Sequence, residues 1–445
     1  MNVVQAKIET GRALGDAFGS ARGRLPGMGK VADAREQAFT EYQRTGLPNR
    51  RIEDWKYTDL RALMRELLPL SAEPDADGLR QAERTLMSIA TGDRSGDSCT
   101  IVLVDGSFVA TLSSLAGLEN GVTVQRLRDV LENAGNEARS DLLDNGAVRD
   151  PMLALNAAMA TDGVLISIAA GTEPKRPLQL VHVATRASAA SYTRSCVQVG
   201  KGARATLLES FVAAEGTRAY QANDAVMISL GEDARLQHVR LMMDAPDAAN
   251  VSTLIVTVGA KAFLNTFNMT TGGAVSRYQG YITAAGEGAE IRTHGVNLLN
   301  GRQHADTTLF MDHSVPNCRS REIFRAVVDD RGHSVFQGRI MVRPKAQKTD
   351  AKMMTRALLL SDEAEADNKP ELEIFADDVT CGHGATSGAL DGNLLFYLRA
   401  RGLPEKEAQA LLIQAFLGEA IEEIADEGLR ELASSAARRW LEARP

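Results

Sequence analysis

The stretch SCVQVGKGARATLLESFVA, Ser195 to Ala213, joins two apolar runs through the turn Gly200-Lys201-Gly202-Ala203. The same Gly-x-x-Ala turn returns at Gly231–Ala234, Gly259–Ala262 and Gly286–Ala289, with the glycines 31, 28 and 27 residues apart. Each turn leaves one β-type run and enters the next: AVMISLG and LQHVRLMM flank the second, TLIVTVG and FLNTFNM the third. A recurrence of this length, with two strands and no crossover helix in each repeat, describes coils that cannot bury their apolar faces alone and must stack on their neighbours. The expected fold is mainly β, a parallel β-helix. An antiparallel sandwich is the alternative, and it would not demand the repeat.

Working outward, the chain divides into a mainly helical region (1–160), the β-helix core (161–380) and a C-terminal helical region (381–445). In VADAREQAFTEYQRTG, Val31, Ala34, Ala38 and Tyr42 share one face beside Phe39, and Gly46 is placed to end the helix before Pro48. A short β interlude, TIVLVDGSFVATL, turns at Asp105-Gly106, and DPMLALNAAMA is helical again. Beyond the core, Asp391 and Gly402 bracket one helix and Pro404 starts a longer one. On the longer helix Leu412, Phe416, Ala420 and Ile424 form an apolar stripe, suited either to the protein's own core or to a partner.

Composition narrows the function. A net charge of −8 with 5% aromatic residues is unlike a nucleic-acid binder, which shows a basic face with stacking aromatics. No apolar run reaches membrane-spanning length, and the opening stretch MNVVQAKIETGRALGDAFGSARGRL lacks a signal-peptide core. Its arginines suit a transit peptide, but Glu9 and Asp16 argue against one. The four cysteines, Cys99, Cys196, Cys318 and Cys381, are widely spaced without a CxxC pair, so a reducing, cytoplasmic setting is expected.

Several chemistries fail on their motifs. RLPGMGKV has Arg24 where a phosphate loop opens on Gly and Val31 where it needs Ser or Thr, so no nucleotide is expected on this chain. A serine nucleophile lacks its GxSxG elbow. A free-standing β-helix enzyme acting on polysaccharide is the alternative function, with Asp329, Asp330, Arg331 and His333 as its residues; adjacent aspartates on a strand point to opposite faces, which suits an acid–base pair poorly. His182, His238, Cys99 and Cys196 lie within alternating β runs and read as core. His313 and Cys318 share one turn and Cys381 and His383 another, which makes a Cys₂His₂ zinc site conceivable, though without the usual tight spacing. Cys381 and His383 stand where the last β run gives way to helices, a place where an uncapped sheet edge would meet a second chain.

Four stretches carry a family resemblance: RRIEDWKYTDL (50–60), HSVPNCRSREIFRAVVDDRGHSVFQGRIMV (313–342), AQKTDA (346–351) and NKPELEIFADDVTCGHGATSGALDGNLLFYLRARGL (368–403). In this order they closely resemble the SufD branch of the SufB/SufD family of the SUF iron–sulfur cluster assembly system. SufB chains are usually longer and richer in cysteine. Departures are local: Asn368 stands where Thr is commoner and Gly382 where Ser is, and AKMMTRALLLS lacks the usual Gln and Asn. The resemblance implies a right-handed parallel β-helix between helical regions and a non-catalytic scaffold role. It implies pairing with SufB through the end of the β-helix at Cys381, His383 and Thr386, or a homodimer in isolation. His383 and Cys381 would hold a transient iron or nascent cluster shared with SufB; the competing role for His383 is a hydrogen bond across the interface. Thiolate and imidazole both suit iron, and imidazole releases a cluster more readily than a second thiolate would. The SufC ATPase would bind the C-terminal helices at Leu395, Tyr397, Leu398, Leu412 and Phe416. A flavin in the complex would be held mainly by SufB.

Overall fold

The computed structural model describes residues 18–89, 99–133 and 139–444. The opening stretch read for a leader lies outside the described residues as far as Ala17.

The repeats close into a solenoid, because successive strands of the chain alternate between two sheets and pair in parallel with the strand one coil earlier. The first sheet begins with Ser107–Phe108 and Cys99–Val104. It continues through Leu178–Ala184, Arg204–Ala213, Arg235–Met243, Phe263–Thr270, Glu290–Leu299, Arg319–Val328 and Asp350–Leu359 to Thr380–Gly388. Opposite it run Val122–Arg126, Val164–Ile168, Ala190–Val199, Gln221–Leu230, Ala249–Val258, Val275–Ala284, His304–His313, His333–Val342 and Glu365–Ile374.

The Gly-x-x-Ala turns set the stacking distance. Ala203, Ala234, Ala262 and Ala289 are all fully buried and occupy equivalent places on successive coils. The carbonyl of each accepts from the amide that opens a strand one coil later: Arg235 on Ala203 at 2.8 Å, Phe263 on Ala234 at 2.8 Å, Glu290 on Ala262 at 3.0 Å and Arg319 on Ala289 at 2.9 Å. Cys318 continues the row, accepting from Asp350 at 3.0 Å, which gives this cysteine a packing role. The glycine opening each turn is demanded by the same closeness: a Cβ at Gly231 would lie 2.8 Å from the Lys201 nitrogen, and one at Gly286 only 1.9 Å from that of Ala260.

Side chains of alternate parity fill the space between the sheets with Val, Ile, Leu, Met and Phe. An ion-paired cluster enters this interior where buried Arg240 lies between Glu209 (2.6 Å) and Asp224 (2.5 Å). A buried charge is tolerated when paired in this way. His238 and Cys99 are buried, as their strand patterns predict, and His238 Nδ1 meets Thr266 Oγ1 at 2.8 Å. His182 is mostly buried, and Cys196 is half-buried on the outer face.

Helices cover two outer faces. Lys30–Thr45 ends at Gly46 (φ 65°) and buries Val31, Phe39 and Tyr42, while Pro151–Met159 is capped by Asp150; Phe39 and Tyr42 share an apolar cluster with Met152 and Leu155. At the other end of the chain, helices Gly392–Ala400, Glu405–Ile421 and Glu427–Glu442 follow the last strand. The sheets run past both boundaries drawn from sequence. Cys99–Val104 turns at Asp105-Gly106 into an antiparallel hairpin as expected, yet its other edge pairs in parallel with Leu178–Ala184, so the interlude is part of the solenoid wall. A local hairpin signal carries no information about that second, distant pairing.

Candidate functional site

The solenoid ends open. Glu365–Ile374 pairs only with His333–Val342, and Thr380–Gly388 only with Asp350–Leu359, so among the described residues each terminal strand has one bare edge. In the second of these, Cys381 sits beside Ala351 and His383 beside Met353, both buried members of the interior row. Cys381, His383, Ala385 and Ser387 therefore share the inward parity, and Gly382, Gly384 and Thr386 the outward one. No further coil covers the inward set: Cys381 is half-buried against the core, and His383 is exposed although it occupies an interior position. Thr386, expected beside them, is exposed on the opposite face.

The opposite terminal strand contributes Asn368, Pro370, Leu372 and Ile374 to the same mouth. Asn368 ties the end coil together, accepting from Thr355 Oγ1 at 2.9 Å and donating to Ser387 Oγ at 3.1 Å. Partial burial pushes the Cys381 thiol pKa up, an effect opposed by the Ala351 amide. One coil further in than Met353 lies Glu322, fully buried with neither carboxylate oxygen hydrogen-bonded, and burial raises its pKa to about 8.

Among the described residues no group of three or more His, Cys, Asp or Glu side chains is arranged to hold a metal ion. The conceivable Cys₂His₂ site is not assembled: His313 Nε2 meets Ser320 Oγ at 3.0 Å, and Cys318 Sγ faces the carbonyls of Gly286 and Pro316, each at 3.4 Å. The polysaccharide-enzyme residues are likewise engaged elsewhere. Asp329 pairs with Arg444 (2.7 Å), Arg331 with Glu363 (2.9 Å) and His333 with Asp367 (2.8 Å). What remains at the mouth is one thiol and one imidazole, an incomplete donor set on one of the two open β edges.

Comparison with known proteins fits this architecture. The family model described as "SUF system FeS cluster assembly, SufBD core domain" matches residues 182–416, and that of the SufBD protein N-terminal region matches 27–180. The chain belongs to the SufBD family. It is similar to the iron–sulfur cluster assembly protein SufD of Escherichia coli, with 31% identity over 90% of this chain and 91% of that one. A SufBD family protein of Synechocystis is 30% identical over 85% and 84%, and SufD of Bacillus subtilis 25% over 90% and 92%. Membership supports a role in iron–sulfur cluster assembly.

The SufBD core match reaches into the C-terminal helices, and here the side chains divide differently from the sequence reading. Helix Glu405–Ile421 turns Ile413, Leu417, Ala420 and Ile421 onto the solenoid, against a cluster that includes Val239, Leu241, Phe267 and Leu298. Phe416 is drawn half into this contact under the Arg325 guanidinium, and Leu412 is also half-buried, so the stripe serves largely the protein's own core. Exposed apolar side chains on these helices are Leu411 here and Leu394, Phe396 and Tyr397 on Gly392–Ala400, with Phe396 73% exposed. Leu395 and Leu398 are half-buried. Periodicity finds an amphipathic helix but not which of two adjacent stripes meets the sheet. Asn368 and Ser387 were visible only through strand parity, once the terminal pairing was known.

Proposed function

We propose that this chain is a non-catalytic scaffold subunit of iron–sulfur cluster assembly. It pairs with a SufB-type chain through the open end of its solenoid, offers His383 and Cys381 to iron or a nascent cluster at the junction, and binds a SufC-type ATPase through its C-terminal helices. One observation carries this reading: two bare strand edges flank a mouth whose thiol and imidazole are too few to hold metal alone. Exposed edges are templates for pairing, and a second chain that continued the sheets would add the missing donors. Without that partner the same edges suit a second copy of this chain.

Pairing is tested at Ala385, an exposed inward position on the last strand. Ala385→Arg places a long cation over the mouth, where a continuing coil would have to stack. In co-purification with the SufB-type chain of the same source the variant should lose at least about tenfold in affinity, since burying an unpaired charge at an interface costs several kcal/mol. Unaltered affinity would count against end-to-end pairing.

The ATPase contact is tested by point substitution. Deleting everything after Gly402 would strip the cover from Val239, Leu241 and Phe267 and unfold more than it tested. Phe396→Ala with Tyr397→Ala removes exposed rings only. SufC affinity should fall by about tenfold or more, the scale of lost aromatic anchors, with the melting temperature unmoved. Retained affinity would place the contact elsewhere.

A further inference from the structure

The segment Ile52–Thr58 crosses four rungs of the second sheet on its outer face, as a strap. It is anchored by Trp55, fully buried, whose indole N–H donates to Asp150 at 2.8 Å and whose ring lies 3.7 Å beneath the Arg277 guanidinium. Arg277 in turn donates to the Asp54 carbonyl at 2.6 Å, and Gln337 donates to the same oxygen at 3.2 Å. Thr58 meets His304 at 2.9 Å and donates to Asp306. Towards the open end the contacts become ionic. Arg339, on the last rung but one, lies 3.5 Å from the Asp54 carboxylate, and Lys369, on the terminal strand, lies 2.5 Å from Glu53.

The terminal strand needs such support. Every interior strand is held by neighbours on both sides, whereas Glu365–Ile374 has one neighbour and no fully buried residue. Strands held on one side open at low free-energy cost. Its outer ties are His333 to Asp367 (2.8 Å), Arg339 to Glu371 and to Glu373 (3.4 Å each), and Glu53 to Lys369, with Glu371 also 3.3 Å from that lysine. Among the described residues only the tie from Glu53 reaches the strand directly from a distant part of the chain, and it comes from a segment fixed by a buried tryptophan. Lys369 is itself mostly buried (19% exposed) beneath the more exposed Glu53.

We propose that Glu53 is a positioning residue for the pairing edge: by gripping Lys369 it holds the terminal strand flat against the wall, which makes the N-terminal strap part of what readies the open end for a second chain. This rests on the pairing reading above. It goes further in assigning a remote segment to the interface without requiring that segment to touch the partner.

Charge reversal tests it. Glu53→Lys and Lys369→Glu are compared with the double swap, following amide hydrogen exchange over Glu365–Ile374 in the isolated chain and affinity for the SufB-type partner. Each single variant should speed exchange and weaken pairing by about threefold to fivefold, the upper range for an exposed ion pair. The double swap should bring both within twofold of the starting protein, a rescue that mere loss of fold would not give. Singles indistinguishable from the parent, a double swap worse than either single, or faster exchange without weaker pairing would overturn the inference. Ala385→Arg separates the two ideas. If that variant abolishes pairing while the swaps are silent, only the strap's role fails; if it too leaves pairing untouched, end-to-end pairing is what fails.

Discussion

Replacing His383 with alanine is expected to cut the iron and acid-labile sulfide recovered on the purified complex by at least about tenfold, while the complex itself still forms. The two halves of this result have different causes. His383 is exposed at the rim of the mouth, so its loss removes little of a large interface, about 1 to 2 kcal/mol. As a ligand it has no substitute in this chain: among the described residues no third donor stands with Cys381 and His383, and a missing donor leaves iron open to water. Cys381 makes the contrast. It is half-buried against the core, and burial raises its thiol pKa, which disfavours the thiolate that binds metal. Cys381→Ala should therefore lose mainly packing and retain most cluster. Growth of cells that depend on the SUF system, read beside metal and sulfide counts, distinguishes the roles. Normal clusters with His383→Ala and none with Cys381→Ala would reverse them; two silent variants would move the site away from this mouth.

The solenoid was legible because its signal is local and repeated. Gly200, Gly231, Gly259 and Gly286 each sit where a neighbouring coil leaves no room for a Cβ, and the four buried alanines follow them at fixed spacing. The ends were harder to read for a related reason: a terminal coil has the same strand pattern as an interior one, and only the absent next coil tells them apart. Thr380–Gly388 contains three glycines and three exposed hydroxyl residues, which describe a turn as well as a strand. Its place in the sheet depends on pairing with Asp350–Leu359, about thirty residues away, as fixed by register. On the helix Glu405–Ile421 the stripe containing Leu412 and Phe416 does serve the protein's own core, through Ala420 and Ile424, but periodicity does not show that Ile413, Leu417 and Ile421 beside it pack more deeply. Which stripe wins is decided by the sheet it meets.

Glu322 should make the protein less stable as the pH rises above neutrality, and Glu322→Met should remove that loss. The residue lies between Thr293 and Met353 in register, fully buried, with neither oxygen hydrogen-bonded. Desolvation raises its pKa from 4.5 to about 8. Between those values the folded state holds a proton that the unfolded chain has released, so folding stability falls with rising pH across that window and levels off above about pH 8. At about 1.4 kcal/mol per pH unit the cost is about 3 kcal/mol by pH 7. Buried histidines act in the opposite sense, His182 among them. Burial lowers the pKa of His294 to about 3 and of His304 and His313 to about 4, so each contributes stability that is present above pH 6.5 and lost as the pH falls towards its folded value. Below pH 6.5 the histidines offset the slope of the carboxyl group, but between pH 6.5 and 8 they are neutral in both states, so the Glu322 slope of about 2 kcal/mol over that interval is no longer opposed. Methionine matches the volume and needs no hydrogen bond, so the variant should be the more stable protein at pH 8 and show a flat profile from pH 6.5. Urea midpoints for both proteins at pH 6.5 and 8 measure the difference. Equal pH dependence in the two would mean that Glu322 is solvated in solution, and that the interior beneath the mouth admits water as far as the third coil.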